Sequence, residues 1–361
     1  MKVLILSLRY LGDCLLASSL AAPIKQRFPG SEVDLLTFKG NISILDGNTT
    51  LDRVIGVDAH PSKRQHVSDV FGLWNHYDWA IITQSSTRAL SYGYFASHRQ
   101  SMFYIPENRR NWWKRRLVSN MVAEPDGHKL DTFSALLEPI LGDRPELHPE
   151  CPNASLSTEL LEKLNSSPFV VFHLLAQYRD KDWDEGNWCE LARRVIAQGF
   201  RVVLTGGPSQ AERSMLEKFA SNFDEDSVLS LAGRLSFGQT GTLIRMARAY
   251  VGVDTSATHV AAASGTPTIA LFGPTSAKRW GPAPASGRVQ FDNSLPLQRA
   301  ANVTVIRNPE FLGCNRCLSG HETRCPLSRS KGRAECSQTI PLDLVWSELQ
   351  FRLGLDSSSF A

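Results

Sequence analysis

The stretch that decides the fold runs from Tyr250 to Thr275, YVGVDTSATHVAAASGTPTIALFGPT. An apolar run of strand length ends at Asp254, and Thr255-Ser256 follow at the position where capping residues open a helix. Small residues from Ala261 to Ala263 allow that helix close packing. Gly265 and Pro267 then break it before a second buried strand, TIALFG, at 268–273. This is a strand–helix–strand unit whose strands lack polar alternation, the signature of a parallel sheet covered on both faces. A helix that begins directly after such a strand presents unpaired backbone N–H groups and the positive end of its dipole, a setting suited to a diphosphate. Phe272-Gly273-Pro274-Thr275 closes the next strand with tight-turn residues that leave further amides open.

Working outward, the same alternation covers the chain. On the C-terminal side of residue 168 it reads VVFHL (170–174), helix NWCELARRVIAQG, strand RVVLTGG (201–207), helix QAERSMLEKFA, strand SVLSLAG, and helix TGTLIRMARA leading into Tyr250. On the N-terminal side, MKVLILSL is followed by a helix-like LLASSLAAPIKQRF and strand EVDLLTF. Short apolar runs then recur at 52–57, 79–84 and 101–105. Residues 143–167 carry the Pro, Asn and Ser punctuation of a crossing between domains. The expectation is an α/β protein with two doubly wound, Rossmann-like domains facing a central cleft. They are an N-terminal one at 1–150 and a C-terminal one at 168–340, with a Cys-rich loop at 308–337, and a helix at 341–361 returning to the N-terminal domain. Ligands in such sheets bind at the carboxyl ends of the strands.

With 361 residues, 42% hydrophobic and 21% charged, the chain has the composition of a globular protein. A formal net charge of +3 argues against a nucleic-acid binder that relies on a broad basic surface. The N-terminal apolar run is interrupted by Arg9 and Asp13 before a signal-peptide core accumulates, so a cytoplasmic protein is expected. Local charge is more informative: RRNWWKRR at 109–116 sets Arg109, Arg110, Lys114, Arg115 and Arg116 around two tryptophans, suited to phosphate groups near a membrane interface.

Four of the seven cysteines fall at 314, 317, 325 and 336, a C-x2-C-x7-C-x10-C spacing. In a cytosolic chain this favours a metal knot over disulfides. Cys314, Cys317, Cys325 and Cys336 are candidate ligands of a structural zinc or iron, with His321 as a substitute. Four protein ligands would leave no open position for catalysis.

VGVDTSATHVAAASGTPTIALFGPT resembles the C-terminal signature of family 9 glycosyltransferases, the ADP-heptose-dependent heptosyltransferases. Three further segments agree in order. LSLRYLGDCLLAS (6–18) resembles the family's N-terminal glycine-aspartate motif, HKLDTFSALLEPILG (128–142) its His-x-x-Asp helix, and RDKDWDEGNW (179–188) its Lys-x-Trp segment. The resemblance implies the two-domain GT-B architecture and inversion without a catalytic metal or other cofactor. It implies ADP-L-glycero-D-manno-heptose as donor and a lipopolysaccharide core acceptor at the cytoplasmic face of the inner membrane, with peripheral attachment; the alternative is a protein or other glycan acceptor, or a related transferase with a different sugar-nucleotide donor. Asp13 would then be the acceptor's base and Lys181 the cation beside the departing diphosphate. Asp254 would meet the donor sugar. Thr255, Ser256 and His259 would surround the diphosphate, Glu212 would lie near the ribose, and Gly206, Gly273 and Thr275 would belong to the donor site. The basic 109–116 segment would take the acceptor. Where many members carry threonines before the lysine motif, this chain has Ala176-Gln177-Tyr178. His173 with Arg179 and Lys181 is closer to the branch that adds a side-branch heptose.

Two other classes account for less. An NAD-dependent oxidoreductase shares the sheet type, but Arg9-Tyr10-Leu11-Gly12-Asp13 lacks G-x-G-x-x-G and puts a carboxylate where pyrophosphate needs close backbone approach. A metal-binding adaptor built on the cysteines leaves Asp13, Lys181 and the 250–275 segment without a role.

Overall fold

The computed structural model describes residues 1–104, 109–287, 290–312, 314 and 333–355, those of 109–111 by backbone alone. The chain divides into two compact units, Met1–Pro152 and Asn153–Ala361. The boundary falls inside the punctuated stretch expected to join the domains.

The first unit is built on six strands: β1 (Lys2–Ser7), β2 (Glu32–Phe38), β3 (Arg53–Val57), β4 (Trp79–Ile82), β5 (Gln100–Tyr104) and β6 (Asn120–Ala123). They lie in the order β3-β2-β1-β4-β5-β6, every pair parallel. The second unit contains β7 (Phe169–His173), β8 (Arg201–Leu204), β9 (Val228–Ser230), β10 (Ala249–Val253), β11 (Thr268–Phe272), β12 (Leu297–Ala300) and β13 (Val303–Arg307). Their order is β12-β13-β11-β10-β7-β8-β9, parallel except for the β12–β13 edge. Apart from that edge strand, both sheets follow the doubly wound order, so each reverses direction once, between β1 and β4 and between β7 and β10. The central strands explain the parallel arrangement. Val3–Leu6 and Val251, Val253, Ile269 and Ala270 are fully buried, with helices covering both faces.

Two expectations change. LLASSLAAPIKQRF is not one helix but two, Leu11–Ser18 and Ala21–Arg27. Ser18 and Ser19 turn their hydroxyls back onto the Leu15 and Leu16 carbonyls, and Pro23 brings no N–H to a continuing ladder. The final helix, Leu342–Leu353, packs on the second unit instead of returning to the first. Val345 and Leu349 join the core formed by Trp183, Trp188 and the β7–β10 side chains. Its buried Glu348 is bound by Arg299 at 2.6 Å, by Arg352 at 3.1 Å and by the Thr304 hydroxyl at 2.5 Å. Taking a carboxylate out of water is costly unless it is paired, and the partners here lie on β12, β13 and the helix itself.

No described helix is long and apolar enough to cross a membrane.

Candidate active site

In the first unit the chain leaves β1 at Ser7 and enters the helix Leu11–Ser18, with Asp13 in its first turn. Leu8–Tyr10 form the connecting turn, and two side chains fix it. Gln84 accepts from the Leu8 N–H at 3.1 Å and donates to the Leu8 carbonyl at 3.0 Å, while the Asn41 amide donates to the Arg9 carbonyl at 2.9 Å. The Asp13 carboxylate is 5% exposed, and the Arg9 guanidinium approaches it at 4.0 Å. It therefore sits at the carboxyl end of β1, beside the reversal of strand order. Burial raises the neighbouring Cys14 thiol to about 12, so that sulfur stays protonated.

The second unit repeats the arrangement with more charge. Asp254 follows β10, and Thr255 is the N-cap of the helix Ser256–Ser264 without a side-chain capping bond of its own. The Lys181 ammonium lies 2.6 Å from the Asp254 carboxylate and 3.4 Å from its carbonyl. Burial alone would raise the Asp254 carboxyl, but the Lys181 charge and hydrogen bond, with help from the Thr275 hydroxyl, hold it below the ordinary carboxylate range. His259, one turn into the helix, is buried, and that burial keeps its ring neutral despite Asp254 nearby. Two buried polar atoms here, Thr255 Oγ1 and His259 Nδ1, have no hydrogen-bond partner among the described residues. Lys181, Asp254, Thr255, His259 and Thr275 thus form one group at the end of β10. The backbone N–H groups of the first helical turn, beginning at Ser256, belong to the same end.

His173 closes β7 and pairs in register with Gly252 of β10, which brings it to the same edge. Its Nδ1 lies 2.9 Å from the Thr205 hydroxyl, and burial lowers its pKa to about 4. Glu212 accepts from the Gly207 N–H at 2.6 Å, so one of its oxygens is engaged in closing the turn after β8. Gly206 and Gly207 leave room for these side chains: a Cβ would come within 2.5 Å of Leu216 Cδ1 and 2.6 Å of Glu212 Oε2 respectively.

The loop that carries Lys181 is held from far along the chain. The Asp180 carbonyl accepts from Ser337 Oγ at 2.9 Å and from the Ala334 N–H at 3.3 Å. The Asp182 carbonyl accepts from Gln338 Nε2 at 2.5 Å, and Trp183 Nε1 donates to the Ile340 carbonyl at 2.9 Å. Gly273 faces the same turn, where a Cβ would lie 1.7 Å from Ser337 Oγ. These anchors carry no motif, so sequence reading passed over Ser337 and Gln338, as it did Gln84 and Asn41.

The basic segment divides. Lys114, expected at the acceptor, is turned inward: it is 3% exposed, donates to the Ser85 carbonyl, and burial lowers its pKa. It is a core cation. Arg115 stacks 4.0 Å over Tyr104 and Arg116 lies 5.2 Å from the exposed Trp112 ring, both at the surface. Arg109 and Arg110 begin the short 3-10 turn Arg109–Arg116, and their side chains lie outside the described residues. Of the cysteines, Cys317 and Cys325 lie outside the described residues, as does His321. Cys314 and Cys336 are both within electrostatic reach of the buried Arg307 guanidinium. The His-x-x-Asp segment acts locally as a capping box: His128 Nδ1 accepts from the Leu130 N–H at 3.2 Å and Asp131 from the His128 N–H at 3.0 Å.

Residues 68–303 match the family model for glycosyltransferase family 9 (heptosyltransferase). Among curated proteins, lipopolysaccharide heptosyltransferase 3 of Escherichia coli is 27% identical over 296 residues, covering 76% of this chain and 84% of that protein. Among solved structures, E. coli ADP-heptose LPS heptosyltransferase II superposes with a TM-score of 0.73 at 20% identity, over 98% of this chain and 99% of that one. E. coli heptosyltransferase WaaC with ADP-2-deoxy-2-fluoro heptose gives a TM-score of 0.65 at 21% identity, over 86% and 94%. These likenesses give the fold as GT-B. With two doubly wound units, an ionic group on a helix N-terminus and a match over most of its length, the chain belongs to glycosyltransferase family 9, the heptosyltransferase family.

Proposed function

We propose that this enzyme transfers heptose, with inversion, from ADP-L-glycero-D-manno-heptose to the inner core of lipopolysaccharide. The observation that carries the proposal is the Lys181–Asp254–His259–Thr255 group on the N-terminus of the helix Ser256–Ser264. A diphosphate there would take the open N–H groups and the unpartnered Thr255 hydroxyl, and it would meet the Lys181 ammonium. Asp254, kept ionised by Lys181, accepts heptose hydroxyls.

In the chemical step the acceptor oxygen attacks the anomeric carbon from the face opposite the diphosphate. Asp13 removes its proton, the carbon–oxygen bond to phosphate breaks, and ADP leaves with the negative charge that Lys181 and the helix end stabilise. A protein cation and a dipole thus do the work of a leaving-group metal, so catalysis is proposed to need none. The Cys314, Cys317, Cys325 and Cys336 set would hold a structural zinc or iron. Glu212 is assigned to the ribose through its second oxygen, and Arg109, Arg110 and Arg115 to acceptor phosphates. Activity on a lipid-linked acceptor places the enzyme on the cytoplasmic face of the inner membrane.

The relatives support the donor and acceptor classes: one is named for lipopolysaccharide, and one structure contains an ADP-heptose analogue. The test is ADP release from ADP-heptose with truncated lipopolysaccharide acceptors bearing one, two or three core sugars. Acceptor-dependent release that survives chelation of free divalent ions is expected. ADP binding with no turnover on any lipopolysaccharide acceptor would sink the acceptor assignment, and absence of ADP binding would sink the donor.

A further inference from the structure

The helix Lys63–Phe71 of the first unit breaks the rule that a helix hides its apolar stripe. Arg64, Val67 and Phe71 are spaced by three and four residues on one face, and Trp74 continues the line in the turn beyond. Val67 is 52% exposed, Phe71 59% and Trp74 56%. The neighbouring helix Thr87–Ala96 adds Tyr94, 44% exposed, and the partly buried Phe95. The rings are organised among themselves: Phe71 stacks on Trp74 at 5.3 Å with 10° between planes, Trp74 meets Phe95 at 5.3 Å, and Tyr94 meets Phe95 edge-on at 5.5 Å. A contiguous aromatic surface of this kind, facing outward, marks an interaction site.

Its charge names the partner. Lys63 and Arg64 lie exposed at the start of the stripe, and Arg99 lies exposed just past the helix that carries Tyr94 and Phe95. The one carboxylate of the helix, Asp69, is engaged by Gln65 Nε2 at 2.7 Å and by the Tyr92 hydroxyl at 3.4 Å. Tryptophan and tyrosine with flanking cations are the residues that settle at the headgroup level of a bilayer.

We infer that the Val67–Phe71–Trp74–Tyr94–Phe95 face docks on an anionic phospholipid surface, bringing the first unit to the bilayer in which a lipid-linked acceptor is anchored. The inference rests on the acceptor reading above only for its purpose. The docking itself is measurable without donor or acceptor.

The full chain is floated with vesicles of phosphatidylethanolamine and phosphatidylglycerol, and with vesicles of phosphatidylcholine alone. Wild type partitions to the anionic vesicles. Phe71→Ser/Trp74→Ser lowers that partition by about tenfold or more, since each ring contributes buried apolar area. Lys63→Glu/Arg64→Glu, which leaves the rings in place, also lowers it and removes the preference for the anionic vesicles. Partition of the ring variant within about twofold of wild type overturns the proposal. So does a charge variant indistinguishable from wild type, or a concentration-dependent dimer in light scattering that the ring variant abolishes. Turnover separates this from the acceptor reading: the ring variant should match wild type on a detergent-free, delipidated acceptor and fall behind only on acceptor held in vesicles. Equal loss on both would place the residues in the fold instead of at a membrane.

Discussion

The two units use one strand order for different ends. In the first, the turn after β1 is fixed by neutral side chains, Gln84 and Asn41, and the charged group presented beyond it is Asp13, with Arg9 at the edge of contact. In the second, the corresponding end of the sheet carries the ammonium of Lys181, the carboxylate of Asp254, two neutral histidines and a helix N-terminus without a side-chain cap. The same scaffold thus presents a buried carboxylate in one place and an ionic group on a helix end in the other. The sheet defines where chemistry happens, and the residues just past its strands define which chemistry.

If the first unit works as the base and the second as the cradle, Asp13→Ala separates them most sharply. Turnover should fall by about 10²–10⁴-fold while ADP binding, followed by calorimetry, stays within error of wild type. Loss of ADP affinity in that variant would break the division of labour. Lys181→Met attacks the other side. It leaves Asp254 buried without its cation, so donor affinity should fall and thermal stability should drop by about 2–4 kcal/mol, with Asp254→Asn in the same chain recovering part of the stability but not the donor. Full recovery of donor binding by the double variant would show that Lys181 only neutralises Asp254.

Much of this comparison was readable from residues in order. Uninterrupted apolar runs ended by Asp, Gly or Pro gave away the parallel strands, because a strand buried on both faces has no polar alternation to confuse with anything else. The cluster at Asp254 was legible for the same reason, since its members follow one another along the chain, and Lys181 was found through its motif. What stayed hidden were partners far apart in sequence. Lys114 looked like one cation among five until the fold buried it against the Ser85 carbonyl. The last helix looked amphipathic, and an amphipathic pattern says that a face is covered without saying by what; Val345, Glu348 and Leu349 chose the second unit. Gln84, Asn41 and Ser337 act through single hydrogen bonds to backbone, for which no spacing rule exists.

Two smaller effects sharpen the cradle itself. Gly273→Ala pushes a methyl into Ser337 Oγ and should cost about 1–3 kcal/mol of stability in chemical denaturation, with partial relief from Ser337→Gly in the same chain. An unrelieved loss would mean that the strain lies elsewhere than at this contact. The second concerns His173, whose pKa is lowered to about 4 from the ordinary 6.5. Between those values the unfolded chain binds a proton that the folded chain does not, so its contribution to stability is complete above pH 6.5 and is lost as pH falls toward 4. His173→Gln should remove up to about one proton from the stability slope in that window, measured as melting temperature against pH. An unchanged slope would assign the acid sensitivity of this end to His259, which burial also holds neutral.

The turn Glu335–Gln338 gives the C-terminal part of the chain a meaning that its position conceals. Ser337 lies 157 residues from Asp180 in sequence, yet the two are one hydrogen bond apart in space. Whatever displaces Ala334 or Ser337 would reach Lys181 through the Asp180 carbonyl that both of them hold. A version of this protein ending before Arg333 would keep every residue of the ionic group, and it would still have lost the brace that tells Lys181 where to stand.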